Sequence, residues 1–98
     1  MSILVSLEGQ VRSNQMEDTK AFISQVFPDP LLSYNGCQRV DVYFNKDNQG
    51  NMVVMERWKP HNHYENYHEW CVENGVPAKA VSMLDGSLST RYFERDDI

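Results

Sequence analysis

The chain is short, acidic and moderately hydrophobic, and these properties exclude several classes of partner. Its 98 residues, 41% of them hydrophobic, suffice for one domain whose small core gains from contact with a second subunit. The net charge of -5 and the pI near 5.0 argue against nucleic acid and anionic membrane surfaces, because phosphate groups are bound by clustered basic side chains.

Cysteine usage and hydropathy predict a soluble protein of the reducing cytoplasm. The two cysteines, Cys37 and Cys71, do not form a Cys-x-x-Cys motif. The amino-terminal residues lack a basic stretch followed by a long apolar run, and no window approaches eighteen consecutive apolar residues. We therefore expect neither an export signal nor a membrane span.

The first third of the chain predicts a strand followed by a helix. Residues 3–11 alternate in the period of a half-buried strand, and Gly9 within them is typical of a bulge. Apolar residues at helical spacing then predict a helix over about residues 15–27. Pro28 and Pro30 are expected to stop this helix, because proline cannot continue its hydrogen bonding.

The middle of the chain predicts a β-hairpin. Asn35-Gly36 is a turn signal, and residues 37–44 alternate as a second strand. The wholly polar segment 45–50 then leads into a third strand that ends near Lys59. The second and third strands are therefore expected to be antiparallel neighbours.

The last third predicts a second helix and a fourth strand. Pro60 suits the first turn of a helix and Gly75 suits the position just past its end, which places the helix at about residues 61–74. Residues 76–84 are expected to form a loop or a short helix. Residues 88–93 alternate as the fourth strand.

The order of these elements, βαββαβ, predicts an α+β domain of the ferredoxin-like class. One four-stranded antiparallel sheet would carry two helices on one face, an arrangement that the connection rules and the split crossover both allow. The chain from residue 1 to residue 98 is then a single domain.

The third strand has apolar residues on both faces, which predicts a dimer. Val54 and Trp58 share one face, while Val53 and Met55 share the other. If the helices cover the first face, the second needs cover from another subunit, so we expect a homodimer that packs sheet to sheet. The alternative is a monomer with a few exposed apolar residues.

Aromatic and histidine side chains on the second helix indicate a pocket. Four residues are spaced i, i+3, i+4 and i+7: Tyr64, Tyr67, His68 and Cys71. They share one helix face, which should turn toward Trp58 on the sheet. Because their polar tips need partners when buried, such a cluster often lines an apolar pocket with a few hydrogen-bonding groups. The alternative is a closed core in which the tips only reach the rim.

Three motifs in this region resemble a known family. They are the Asn35-Gly36-Cys37 turn, the strand ending Glu56-x-Trp58, and the helix motif Tyr64-x-x-Tyr67-x-x-Trp70. Over nearly its whole length the chain is similar to the antibiotic biosynthesis monooxygenases, which are dimeric ferredoxin-like proteins. The resemblance implies a dimer with a cavity between sheet and helices in each subunit. It also implies oxidation of a quinol or polyphenol by molecular oxygen, without metal or flavin.

The same resemblance implies roles for individual side chains. Trp58 matches a cavity tryptophan that can donate its indole N–H to a substrate oxygen, and Tyr64 matches a cavity tyrosine. Tyr67 falls where many relatives have a helix histidine, and His68 is one residue later. Val54 stands where the quinone-forming members have a cavity asparagine, so one substrate hydrogen bond is missing.

Such a reaction needs a proton acceptor, donors for a phenolate, and a cavity poor in water. His68 is the predicted base, because an imidazole exchanges protons near neutral pH. Arg91 would stabilise negative charge if it faces inward, but it would equally suit the dimer interface. Glu56 is expected to pair with an arginine, since a lone inward carboxylate must be compensated. The predicted site residues are His68, Trp58 and Tyr64 as catalytic, with Tyr67, Val54 and Arg91 as substrate-binding.

A zinc site on the second helix is an alternative. Four potential ligands lie along one helix stripe: His61, Glu65, His68 and Cys71. Ligands on a single helix cannot close around one ion, so zinc would need groups from another element. We therefore predict no metal site.

Haem binding and binding without catalysis are two further alternatives. Haem-degrading relatives pair a strand tryptophan with a helix histidine ten residues later, the spacing of Trp58 and His68. Those relatives also have an asparagine on the first strand, where this chain offers Ser6, Glu8 and Gln10. A dimer that binds a small molecule without catalysis is favoured by the missing cavity asparagine.

Overall fold

The secondary structure follows the predicted order of elements. A computed structural model describes residues 3–26, 34–59 and 62–95. In chain order the elements are β1 (Ile3–Gln10), a 3₁₀ turn (Ser13–Gln15), α1 (Met16–Val26), β2 (Cys37–Phe44), β3 (Asn51–Trp58), α2 (His63–Glu73), α3 (Val76–Ser82) and β4 (Ser89–Glu94). This confirms the α+β ferredoxin-like class, with the short helix α3 added before the last strand.

The four strands form one antiparallel sheet in the order β2-β3-β1-β4. β1 lies between β3 and β4, so that Val5 is opposite both Glu56 and Tyr92. β3 lies between β1 and β2, and Val54 is opposite Leu7 and Val42. The central strands therefore come from the two halves of the chain, as the split crossover requires.

The β2–β3 hairpin confirms the predicted pairing. Its loop is organised by Asn45, whose side-chain oxygen accepts the backbone N–H of Asp47 at 2.8 Å and of Asn48 at 3.2 Å. Asparagine favours such turns because its side chain bonds the backbone just beyond it. The ordered loop fixes the register of β3 against β2. Among the strands, β3 contributes the most residues to the wall of the cavity between sheet and helices.

The helices lie within two residues of their predicted positions. Gly75 separates α2 from α3 with a φ of 72°, the left-handed conformation in which glycine commonly ends a helix. None of the described helices is long and apolar enough to cross a bilayer. The residues expected to stop the first helix and to start the second lie outside the described residues: Pro28, Pro30 and Pro60.

Gly9 permits close packing rather than a bulge. β1 pairs continuously with β3 through Gly9, so the bulge predicted there is wrong; the register instead shifts between Cys37 and Arg39 of β2. A Cβ on Gly9 would lie 2.7 Å from Cδ1 of Leu84, a side chain that is only 2% exposed. Glycine is needed here because the Leu84 side chain occupies the space above the strand.

The two faces of the sheet have different surroundings. On one face the sheet side chains line a common cavity with α1, α2 and α3. The buried apolar residues of this face are Val5, Val40, Met52, Val54 and Trp58. The opposite face, called the open face below, also carries apolar side chains. They are Leu4, Val53 and Met55, which are half-buried, and Tyr43 and Phe93, which are exposed.

Replacing Gly9 by alanine is expected to lower the free energy of unfolding by roughly 1–3 kcal/mol, the usual cost of overpacking a core. The reason is the overlap between the new Cβ and the buried Leu84 side chain. Urea denaturation measures the change. In a Leu84→Val background, which lacks the overlapping δ methyl groups, the same Gly9→Ala change should cost much less. An equal cost in both backgrounds would contradict this explanation.

Candidate functional site

A cavity of about 120 Å³ lies between the covered face of the sheet and the three described helices. Most of its wall is apolar, and the apolar lining residues include Leu7, Phe22, Ile23, Met52, Val54 and Leu84. An apolar protein cavity of about 150 Å³ is known to bind benzene. The volume therefore suits one aromatic ring.

Four predicted site residues meet at this cavity: Val54, Tyr64, Tyr67 and His68. Tyr64 and Tyr67 are buried, whereas His68 is exposed. The ring of His68 stacks on that of Tyr64 with centroids 6.0 Å apart. Thr90 is the other exposed residue of the described wall. His68 and Thr90 thus mark the mouth of the cavity, and the tyrosines lie deeper.

Trp58 does not lie on the described cavity wall, which corrects its expected contact with a substrate. Its side chain is fully buried and packs behind the tyrosines, with ring centroids 5.7 Å from Tyr64 and 5.1 Å from Tyr67. The indole Nε1–H donates to Oε1 of Glu56 at 2.9 Å. The donor expected for a substrate oxygen is therefore already bonded within the protein.

Arg91 lies on the other side of the sheet. In β4 it pairs opposite Ser6, whereas the neighbouring Tyr92 pairs opposite the core residue Val5. Because side chains alternate along a strand, Arg91 belongs to the open face, and it is exposed. Of the two orientations considered for Arg91, the structure shows the one away from this cavity, so Arg91 is not placed to bind a substrate here.

Glu56 is a candidate site residue that the sequence analysis did not include among the predicted site residues. The expected arginine partner is not found among the described residues. The side chain is instead fully buried on the cavity wall, where Oε1 accepts the Trp58 bond and Oε2 has no hydrogen-bond partner in the described chain. The signal in the sequence was an acidic residue in period with Met52, Val54 and Trp58 on a buried strand face.

Burial raises the pKa of Glu56 from 4.5 to about 7, although the hydrogen bond from Trp58 acts in the opposite direction. Removing a carboxylate from water disfavours its charged form, and a donor to that form partly restores it. At neutral pH this carboxyl group is therefore able both to take up and to release a proton.

The two tyrosines and the cysteine of the cavity wall are held neutral. Burial raises the pKa of Tyr64, with further contributions from Tyr92 and Glu56. Burial likewise raises the pKa of Tyr67, which is hydrogen-bonded to Cys71, and of Cys71 itself. In contrast to these three groups, Glu56 ionises near neutral pH.

The described residues offer no metal centre. Within residues 3–26, 34–59 and 62–95, no group of three or more His, Cys, Asp or Glu side chains is arranged to hold an ion. On the stripe considered above, Glu65 is exposed while Cys71 is buried, and His61 lies outside the described residues.

Solved structures share this fold over nearly the whole chain. A conserved protein from Methanosarcina mazei Go1 superimposes with a TM-score of 0.90 at 16% identity, over 98% of this chain and 94% of that one. A Nitrosomonas europaea protein, provisionally named an antibiotic biosynthesis monooxygenase, gives 0.84 at 12% identity, over 94% and 88%. An antibiotic biosynthesis monooxygenase gives 0.81 at 10% identity, over 96% and 98%.

These likenesses establish the fold. No protein-family model and no curated protein matches the chain. At 10–16% identity the superpositions show a shared backbone architecture, which is the one implied by the sequence resemblance. The chain thus has the fold seen in antibiotic biosynthesis monooxygenases.

Stability is expected to fall as the pH rises through the range in which Glu56 ionises. Its pKa is 4.5 ordinarily and about 7 in the folded chain, so between these values the folded state holds a proton that the unfolded state has released. The destabilisation is absent below pH 4.5 and complete above pH 7, where it reaches about 3 kcal/mol. Urea denaturation gives the free energy of unfolding at each pH. Between pH 4.5 and pH 7 the value for the native chain should fall by this amount relative to the value for Glu56→Gln.

The exposed carboxylate of Glu65 provides the matched control for that measurement. Glu65→Gln should retain the pH dependence of the native chain, whereas Glu56→Gln should lose it. Identical pH profiles for the native chain and Glu56→Gln would contradict a raised pKa at Glu56.

Proposed function

We propose that this protein is a monooxygenase that oxidises a small phenol or dihydroquinone with molecular oxygen, without metal or flavin. The observation that carries the proposal is the mostly apolar, single-ring cavity with one buried carboxyl group on its wall. The reaction class is supported by a structure of the same fold that is named an antibiotic biosynthesis monooxygenase.

The reaction balances without an external reductant. A ring hydroxyl gives its proton to a base, and the phenolate passes one electron to oxygen. The resulting phenoxyl radical and superoxide combine through a carbon–oxygen bond, and the base returns the proton to the peroxide. Loss of water then leaves a quinone, so one oxygen atom enters the product and the other leaves as water. An apolar cavity favours these steps because it excludes bulk water.

The tyrosines and Val54 would hold the ring. Their raised pKa values keep Tyr64 and Tyr67 protonated, and their hydroxyls are bonded to Tyr92 and Cys71. Either hydroxyl would donate to a developing phenolate by exchanging that partner for the substrate. Val54 offers apolar contact and no donor. Trp58 acts as a positioning residue through its bond to Glu56. Two groups remain as the base: His68 at the mouth and Glu56 in the wall.

Haem is less well supported as a ligand. A tetrapyrrole is several times larger than the single ring that a cavity of about 120 Å³ suits. Trp58, expected beside the haem, lies behind the wall. The residues present therefore do not fit haem as they stand. An absorption band that appears on adding haem and shifts in His68→Ala would reverse this assessment.

Oxygen consumption with a panel of single-ring dihydroquinones tests the proposed reaction. We expect uptake above the spontaneous rate and a product that carries one added oxygen atom. Ala80→Phe fills the cavity and should lower the rate at least about tenfold, because misplacing a substrate by about 1 Å can cost a hundredfold. Ala78→Phe, at an exposed position on the same helix, is the control. Binding without oxygen uptake would instead favour a non-catalytic dimer.

We also propose that the open face packs against the same face of a second copy. This face exposes Tyr43 and Phe93 by 53% and 45%, beside half-buried Val53 and Met55. Apolar side chains left uncovered on one face of a sheet are typical of an interface, and a twofold interface is self-complementary. Arg91, on the same face, would then lie at the subunit contact.

Met55→Glu is expected to convert the dimer into a monomer, because an unpaired charge within an apolar interface is strongly disfavoured. Size-exclusion chromatography with light scattering measures the mass. Val72→Glu alters a side chain that is 57% exposed on α2, so it should leave the dimer intact. A native chain that is monomeric at micromolar concentration would rule out the proposed interface.

A further inference from the structure

The buried carboxyl group on the cavity wall is more than a structural group. Glu56 is fully buried, Oε1 is held by the Trp58 indole at 2.9 Å, and Oε2 has no partner among the described residues. An unsatisfied buried oxygen is costly and rare in native proteins, and a catalytic role is one explanation for such a group. We propose that Glu56 receives the substrate's ring hydroxyl, as hydrogen-bond acceptor in the complex and as base in the reaction.

This inference rests on the proposed function and decides between its two candidate bases. His68 is exposed at the mouth and stacks on Tyr64. A ring hydroxyl that reached His68 would lie in contact with water. A ring hydroxyl bonded to Glu56 would instead lie on the sheet side, where Val5 and Val54 are almost completely buried. The ring itself would then occupy the apolar part of the cavity.

The groups around Glu56 leave its charge without compensation. From α2 it is faced by Tyr64, Tyr67 and Cys71, and from β2 by Cys37, all with pKa values raised first of all by burial. On β1 its pairing partner is Val5, and on β4 the residue opposite Val5 is Tyr92.

No basic side chain of the described residues pairs with Glu56. The ionised carboxylate is therefore stabilised by the Trp58 indole and by whatever donor a ligand brings. A neutral ring hydroxyl is the donor that fits, because a bond to a charged oxygen is about twice as strong as one between neutral groups. Methyl ethers lack this donor, and anionic rings would be repelled by the carboxylate.

The proton can then be followed through the reaction. It passes from the ring oxygen to Oε2 of Glu56, which leaves the phenolate to reduce oxygen. After the carbon–oxygen bond has formed, the same carboxyl group returns the proton to the peroxide oxygen. Glu56 ends in its starting state, as a general base must.

Anaerobic binding of phenol and anisole to the native chain tests the hydroxyl contact without any oxidation. Between about pH 5.5 and 8.5, below the ionisation of phenol itself near 10, phenol affinity should rise by about tenfold, because its hydroxyl favours the ionised carboxylate. Anisole affinity should fall over the same range, because the apolar ring favours the neutral carboxyl. Isothermal titration calorimetry measures both affinities.

In Glu56→Gln both pH dependences should disappear, whereas His68→Gln should keep them. Trp58→Phe removes a hydrogen bond that lowers the pKa of Glu56. It should therefore move the midpoint of the curve of phenol affinity against pH to higher pH. Parallel pH dependences for phenol and anisole, or a native profile in Glu56→Gln, would overturn the assignment.

Oxygen uptake provides the separate test of the base. Glu56→Gln should lower the rate at least about a hundredfold, the lower range for loss of a general base, and His68→Gln by less than about tenfold. A native rate in Glu56→Gln together with loss of activity in His68→Gln would overturn the proposal. If the native chain consumes no oxygen with any dihydroquinone, the proposed function fails, while the anaerobic titrations still decide whether Glu56 receives the ring hydroxyl.

Discussion

The indole N–H of Trp58 and the carboxylate of Glu56 are joined by a 2.9 Å hydrogen bond within the same face of β3. The bond supplies the partner that a buried indole requires, so the Trp58 ring can pack against Tyr64 and Tyr67 of α2. It also fixes one carboxylate oxygen and leaves the other without a partner among the described residues. The contact between sheet and helix and the chemistry of the site therefore depend on one interaction.

The placement of Glu56 opposes stability and favours reactivity for the same reason. An apolar wall raises the free energy of the charged form, which destabilises the folded chain at neutral pH. The same wall brings the pKa to about 7, where a carboxyl group is best suited to exchange a proton at neutral pH. Strain of this kind is characteristic of functional sites, and the rest of the core compensates for it.

Sequence periodicity predicted the elements, the fold class and the helix face with Tyr64 and Tyr67, because these follow from side-chain spacing alone. It did not predict which side chains become hydrogen-bond partners. The Glu56–Trp58 bond joins neighbours on one strand face, and alternation reveals the shared face but not the bond. The face of the sheet on which Arg91 lies could not be predicted, because it depends on how β4 pairs with β1. The prediction that Trp58 lines the cavity was wrong, because the spacing of residues does not show how deeply a side chain is buried.

The contact between Gly9 and Leu84 also bears on what the cavity can hold. Leu84 belongs to the cavity wall, and its side chain rests above Gly9 on the covered face of the sheet. A methyl group at position 9 would displace Leu84 toward the bound ring. The space that this site offers to a ligand thus depends on the absence of a side chain at position 9, in a residue that does not belong to the cavity wall.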